Sequence, residues 1–283
     1  MKGLIWRGLT CYFRDKANVF FSMLGVIIIF CLFVFFLGDT ISFGENLARE
    51  KEMINYWMVS GMLASSAMTT SVGAYTLMVS DREHKQGKDF MSSPIERWKI
   101  TGGYWIPGVL IGIIMSLFTL VAGVIYVLAK GGEFPAFEIL LKCLGVILLN
   151  TLASSAIVCF LIRFIKTSSA FTAFSVLVGT LIGFLVGAYI PVGQLPDGVQ
   201  MVVKCFPCAH AAALFRTLLM KDSMQEGFAG ASSEVVSDFS EQLGITFNFG
   251  DTVFPFWGHI LVLIGTSILF YLLSTIIFRK KSQ

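Results

Sequence analysis

The stretch "DREHKQGKDFMSSPIERWKITGG", residues 81–103, separates two long charge-free segments of the chain. It holds nine charged side chains, five basic and four acidic. The flanking segments 53–80 and 100–129 contain no charged residue. Each is longer than the roughly 20 apolar residues that a helix needs to cross a bilayer. We therefore interpret 81–99 as a connection outside the membrane that joins two spanning helices.

The whole chain of 283 residues has the composition of a membrane protein. Only 14% of its residues are charged and 55% are hydrophobic, and its mean hydropathy is +0.78, whereas soluble domains carry about 25% charged residues. Further apolar segments cover 17–38, 139–162 (interrupted only by Lys142), 167–196 and 252–278. These runs are continuous rather than alternating, which favours helices over a closed barrel. The sequence predicts an all-α integral membrane protein whose 283 residues form one domain with six transmembrane helices.

The distribution of basic residues predicts the orientation of these helices. If the N-terminus is cytoplasmic, the inner segments hold 14 Lys and Arg and 5 acids, and the rest of the chain holds 7 and 13. Because basic residues accumulate in cytoplasmic loops, both termini and 81–99 are expected to be cytoplasmic. The polar segment 221–251 is then an extracellular loop.

Two further segments are expected to form helices that do not span the membrane. Residues 1–17 place apolar side chains near one helical face and basic ones elsewhere, which predicts an interfacial helix in contact with membrane lipid. A disordered basic leader is the alternative. Residues 193–220 are apolar but contain Pro196, Pro207 and Arg216, and neither half is long enough to span the membrane. We expect a reentrant helix pair there.

The sequence lacks the motifs of a catalytic, metal or ion-coupled centre. No phosphate-binding loop occurs, so the chain cannot hydrolyse ATP by itself. The apolar segments hold no Asp, Glu or Arg, which an ion-driven transporter or membrane enzyme would need. The three histidines are scattered, and Cys205 and Cys208 have no second ligand pair, although a disulfide between them stays open. We expect no catalytic residue, no metal and no nucleic-acid partner.

The order of residues in and after the charged connection resembles that of type-2 ABC exporter permeases. The motif "DRE…G…F…PIER…GG" matches at Glu83, Gly87, Pro94 and neighbouring positions, although Lys88 stands where the family usually has Thr. Leu195-Pro196, Pro207 and Arg216 match the family's reentrant region in order. The resemblance implies a coupling helix between spans 2 and 3 that contacts a separate ATPase subunit. The residues assigned to it are Arg82, Glu83, Gly87, Asp89, Pro94, Ile95 and Arg97.

The resemblance also implies the partners and the activity. A nucleotide-binding subunit would hold ATP and Mg, this chain would hold no cofactor, and a second permease, identical or related, would complete a dimer. Because the spans offer little charge to bind ions, the substrate is expected to be amphipathic or hydrophobic, such as a drug, an antimicrobial peptide or a lipid-like molecule, exported across a bacterial plasma membrane. The family also exports glycans, and the resemblance does not distinguish these cargoes. A non-transporting sensor or assembly scaffold is the alternative from another class. An intramembrane enzyme is disfavoured, because no acid–base pair is found at membrane depth.

Overall fold

Helices make up most of the chain in the computed structural model, which describes residues 2–37, 49–84, 97–250 and 252–280. The elements, in chain order, are α1 (Lys2–Arg14), α2 (Lys16–Leu32) followed by a π-helical turn (Phe33–Leu37), α3 (Glu50–Ala74), α4 (Thr76–Glu83), α5 (Arg97–Ala129), α6 (Phe137–Ile162), α7 (Ser168–Leu185), a 3₁₀ turn (Val192–Gln194), α8 (Asp197–Cys205), α9 (Pro207–Leu219), α10 (Lys221–Gly227), α11 (Ser233–Gln242), β1 (Asn248–Phe249), β2 (Thr252–Val253) and α12 (Phe256–Lys280). The two short strands form an antiparallel hairpin. The predicted all-α class is confirmed.

Within the described residues, five helices are long and apolar enough to cross a membrane. They cover Lys16–Phe36, Trp98–Ala129, Phe137–Ile162, Ser168–Leu185 and Phe256–Ile276. Helices α8 and α9 meet at an angle of 87°, and they raise the number to six if the bent pair is one span. The predicted second span, 53–80, is not among these five, because α3 is rich in Ser, Thr, Gly and Ala.

Helix α3 is enclosed by the other helices. Every residue from Met53 to Gly73 is buried, and α3 packs against α2, α5, α6, α7 and α9. Its 25 residues extend about 37 Å, which exceeds the roughly 30 Å of a bilayer's hydrocarbon core. A helix in this position touches protein on all sides, so it needs less apolar surface than one that faces lipid.

The hydroxyl groups of α3 are satisfied mainly by its own backbone. Ser60 donates to the carbonyl of Tyr56 at 2.7 Å, and Thr70 donates to that of Ser66 at 2.6 Å. Ser66 Oγ also lies 3.0 Å from Ser116 Oγ on α5. Small residues allow neighbouring helix backbones to approach closely in lipid, where no hydrophobic force drives association. The polar composition of α3 therefore serves helix packing.

Contacts between helix ends define two opposite ends of the bundle. Asp81, after α3, meets Tyr104 near the start of α5, and Arg163, after α6, meets Ser274 near the end of α12. We name this the Asp81 end. At the other end Arg49, before α3, meets Glu133, after α5. We name that the Arg49 end.

Replacement of Gly73 by Ala should destabilise the contact between α2 and α3. A Cβ atom at Gly73 would lie 2.6 Å from Ser22 Cβ, so α2 would have to shift. Overpacking of this kind costs about 1–3 kcal/mol. Gly145 on α6 is the matched control, because a Cβ there meets nothing within 4 Å, and Ala should be neutral or up to about 1 kcal/mol stabilising through helix propensity. Thermal unfolding of both purified variants in detergent checks this, and equal melting temperatures would contradict it.

Candidate functional site

A buried carboxylate fixes the start of the charged connection. Asp81 is 3% exposed, and Arg7 on α1 donates to its two oxygens at 2.6 and 2.7 Å. Tyr104 on α5 donates to Asp81 Oδ2 at 2.7 Å. The hydrogen bonds to Asp81 raise the pKa of Arg7 above its ordinary value. Helix α1 therefore binds, through Arg7, to the first residue of the charged connection.

The next two residues, Arg82 and Glu83, contact the hairpin between α6 and α7. Arg82 Nη1 donates to the carbonyls of Ile162 and Ile165 at 2.8 and 2.6 Å. Glu83 accepts hydrogen bonds from the backbone N–H of Ser168, at 3.1 Å, and from its hydroxyl. These hydrogen bonds lower the pKa of Glu83 below its ordinary value. Arg82 and Glu83, two of the seven residues predicted to contact an ATPase, therefore form hydrogen bonds within this chain.

The remaining residues of the predicted coupling segment are not placed. Gly87, Asp89, Pro94 and Ile95 lie outside the described residues, and only the backbone of Arg97 is described, as the first residue of α5. The assignment of these five residues to ATPase contact stays a prediction.

The two prolines of the predicted reentrant region each stand at a helix start. Pro196 immediately precedes α8, and Pro207 is the first residue of α9. Proline is tolerated there because the first N–H groups of a helix have no intrahelical partner. Phe206, between the helices, is extended, and the axis turns by 87°. The predicted break in this segment is present, while its insertion depth in a membrane stays a prediction.

Arg216 on α9 is a fully buried cation that binds backbone carbonyls. Its guanidinium donates to Val186 and Gly187 at 3.1 and 2.7 Å, and to Gly244 at 3.2 Å. It also lies over the ring of Trp57 on α3, 5.1 Å from the centroid, which adds a cation–π contact. Arg216 thereby joins α3 and α9 to two turns of the chain.

Glycine is required at both turns that Arg216 binds. Gly187 and Gly244 have φ values of +62° and +65°. These values lie in the left-handed region, which residues with a Cβ atom rarely adopt. A Cβ at Gly244 would also lie only 3.0 Å from Arg216 Nη1. These turns aim their carbonyl oxygens at the buried guanidinium.

The structure brings together two histidines that the sequence left apart. His210 Nδ1 on α9 lies 2.8 Å from His259 Nδ1 on α12, and both side chains are buried. The rings of Phe247 and Phe254 pack against the pair. One imidazole must donate and the other accept. Among the described residues no group of three or more His, Cys, Asp or Glu could hold a metal.

The cysteine pair of this region is not bonded. All six cysteines lie in described parts of the chain and are free thiols. Cys205 is exposed, whereas Cys208 is buried with its sulfur 3.5 Å from Ser154 Oγ. Their spacing along the sequence therefore does not produce a disulfide in this structure.

At the opposite end Arg49 gathers three acidic side chains. It lies 2.9 Å from Glu52 on α3, 2.7 Å from Glu133 after α5 and 2.9 Å from Glu226 on α10. Its φ is +60°, unusual for a residue other than glycine. Sequence reasoning missed this cluster, because its members are far apart in the chain and each is typical of a polar loop.

The fold and these networks define a multi-pass membrane protein that has charged networks at both bundle ends. A protein-family model described as "ABC-2 family transporter protein" matches residues 40–276. The chain therefore belongs to the ABC-2 transporter membrane family, and it is an ABC transporter permease subunit. A comparison with curated proteins finds no match.

Arg216→Met should destabilise the fold without preventing membrane insertion. Three buried carbonyls would lose their charged donor, and each unsatisfied group costs roughly 1–3 kcal/mol. Arg216→Lys should fall between, since one ammonium cannot reproduce the planar fork of the guanidinium. The matched control is Lys221→Met, an exposed basic residue on α10. Membrane fractionation and thermal unfolding of the purified variants are the measurements. If Arg216→Met and Lys221→Met unfolded at the same temperature, the carbonyl contacts would carry no stability.

Proposed function

We propose that this permease subunit exports an amphipathic or hydrophobic substrate, such as a drug, an antimicrobial peptide or a lipid-like molecule. Export is driven by ATP and Mg bound to a separate nucleotide-binding subunit. A second permease copy, identical or related, completes the pathway. The substrate moves away from the side of the membrane on which residues 81–99 lie.

The observation that carries this proposal is the attachment of the charged connection to the bundle. Three consecutive residues, 81–83, contact α1, α5, α6 and α7. A soluble partner that displaced the connection would therefore act on four helices at once. Membership of the ABC-2 family implies such a partner, because this chain has no phosphate-binding loop. Membership of this family also favours a transporter over a sensor or an assembly scaffold.

The positions of the ends support cytoplasmic termini. Helix α1 and the last third of α12 both reach the Asp81 end, through Arg7 and Ser274. Glu226, in the segment 221–251, reaches the Arg49 end instead. Combined with the excess of basic residues in the inner segments, this supports an orientation with both termini inside, which we propose for a bacterial plasma membrane.

The character of the spanning helices supports an apolar or amphipathic cargo. In the five apolar spans of the described chain, charged side chains lie only near helix starts, and Lys142 pairs with Glu138 at 2.6 Å. A groove of about 290 Å³ between α5, α6 and α12 is lined by apolar side chains apart from Ser267 and Tyr271. Such surfaces offer little to an ion and much to a lipophilic molecule.

Transport is tested with the permease and a candidate ABC ATPase from the same genome, for which the neighbouring genes are searched first. We expect the ATPase to co-purify with the tagged permease. Proteoliposomes with the ATPase outside should accumulate a lipophilic dye, a fluorescent antimicrobial peptide or a labelled phospholipid when ATP and Mg are added. The matched control is an ATPase whose phosphate-loop lysine is replaced. Failure to co-purify would overturn the partner assignment, and ATP-independent movement of all three probes would overturn the transport assignment.

The orientation is tested by cysteine labelling in a background without the native exposed thiols. Cysteines at Ser232, in the segment 221–251, and at Ser92, in the charged connection outside the described residues, should react with impermeant maleimide from opposite sides of the membrane. The reason is the bias of basic residues toward the cytoplasm. Labelling of both positions from one side would be incompatible with the proposed orientation.

A further inference from the structure

The hairpin between α6 and α7 presents two opposite helix ends next to each other. Helix α6 ends at Ile162 and α7 begins at Ser168, with only residues 163–167 between them. The carbonyls at a helix C-terminus carry partial negative charge and the N–H groups at an N-terminus carry partial positive charge. Both sets also lack intrahelical partners.

The last turn of α4 places one charge of the correct sign against each of these helix ends. Arg82 is the cation at the end of α6, within 2.8 Å of the Ile162 carbonyl. Glu83 is the anion at the start of α7, where it accepts the Ser168 N–H at 3.1 Å. Exchange of the two residues would set each charge against the wrong helix end. The order Arg-Glu in the sequence therefore fits the geometry of the hairpin.

The same turn of α4 is held firmly on its other side. Asp81, the preceding residue, is bound by Arg7 and by Tyr104. The end of α4 thus has one side fixed to α1 and α5 and the other side capping α6 and α7. Movement at the start of the charged connection would be passed to the hairpin through these caps.

We propose that Arg82 and Glu83 are positioning residues that transmit movement of the charged connection to the α6–α7 hairpin by capping its two helix ends. This inference rests on the proposed function, and it assigns Glu83 a partner inside the chain instead of on the ATPase. Hydrogen bonding from Ser168 lowers the pKa of Glu83, so the side chain is an anionic cap at neutral pH. Substrate passage would then depend on the hairpin, which links two candidate spans.

Ser168→Pro removes the partner of Glu83 without altering Glu83. Ser168 is the first residue of α7, a position where proline is well tolerated. Thr167 before it has φ −125° and ψ 151°, the extended conformation that a following proline favours. The substitution deletes the N–H and the hydroxyl that donate hydrogen bonds to Glu83. Ser233→Pro is the matched control, because Ser233 is the first residue of α11 and Ser232 before it is also extended.

The experiment measures ATPase binding and hairpin movement separately. A reporter cysteine at Ser169, which is exposed on α7, is introduced in a background without the native exposed thiols. It is labelled with maleimide in the purified complex with and without ADP and vanadate. We expect the trapped nucleotide to change the labelling rate in the parent and in Ser233→Pro. In Glu83→Ala and Ser168→Pro we expect that change to be lost while the ATPase still co-purifies. Ser168→Ala, which removes the hydroxyl alone, should lose part of the nucleotide-dependent change in labelling rate. It replaces the proline variant in the test if that variant does not fold.

Three results would overturn the inference. Loss of the ATPase from Glu83→Ala but not from Ser168→Pro would make Glu83 an ATPase contact. If the trapped nucleotide changed the labelling rate in Ser168→Pro as in the parent, or did not change it in the parent complex, the Glu83–Ser168 contact would not transmit movement. If no ATPase binds the parent, the proposed function fails instead. The cap is then judged by a double-mutant cycle of Glu83→Ala and Ser168→Pro in thermal unfolding, where additive shifts exclude the contact and non-additive shifts support it.

Discussion

The enclosure of α3 is the constraint on which the rest of the structure depends. A helix that is buried on every side must let its neighbours approach closely, and most of the hydroxyls of α3 are satisfied by its own backbone. Ser60 and Thr70, for example, donate to carbonyls of their own helix. Asn150 on α6 donates to the Ala64 carbonyl at 3.1 Å, a bond across the interface. Close packing of this kind fixes the neighbouring helices around one axis.

Polar anchors then hold both ends of this central helix. Arg49 joins its start to Glu133 and Glu226, and Asp81 lies beyond its other end in contact with Arg7. Near the Arg49 end, Trp57 on α3 donates to the Leu243 carbonyl at 3.0 Å and faces Arg216. Asp81 and Trp57 are buried, so removal of their partners would leave polar groups unsatisfied. The two ends of α3 are therefore held by charged and polar side chains of other segments, whereas Ser60 and Thr70 between them bond to the backbone of α3 itself.

Arg216 illustrates how backbone carbonyls and an aromatic ring accommodate a buried cation. Three carbonyl dipoles and one aromatic face surround it. Carbonyls lose less solvation than a carboxylate when they are buried, so the arrangement avoids the desolvation of a second full charge. The left-handed glycines at 187 and 244 make the required carbonyl directions accessible. This cluster adds polar contacts to the packing of α9 against α3, α6 and α12.

The sequence by itself determined the helical class, five of the apolar spans and the presence of a break within 193–220, because these depend on local composition and on the missing N–H of proline. The resemblance to ABC exporter permeases also assigned roles to Arg82, Glu83 and Arg216, and these roles stay predictions. Only the tertiary structure decided their partners. Glu83 contacts Ser168, 85 positions away, and His210 contacts His259 across 49 positions. Contacts of this length depend on how helices pack, and helix packing is set by shape complementarity over many residues rather than by any local pattern.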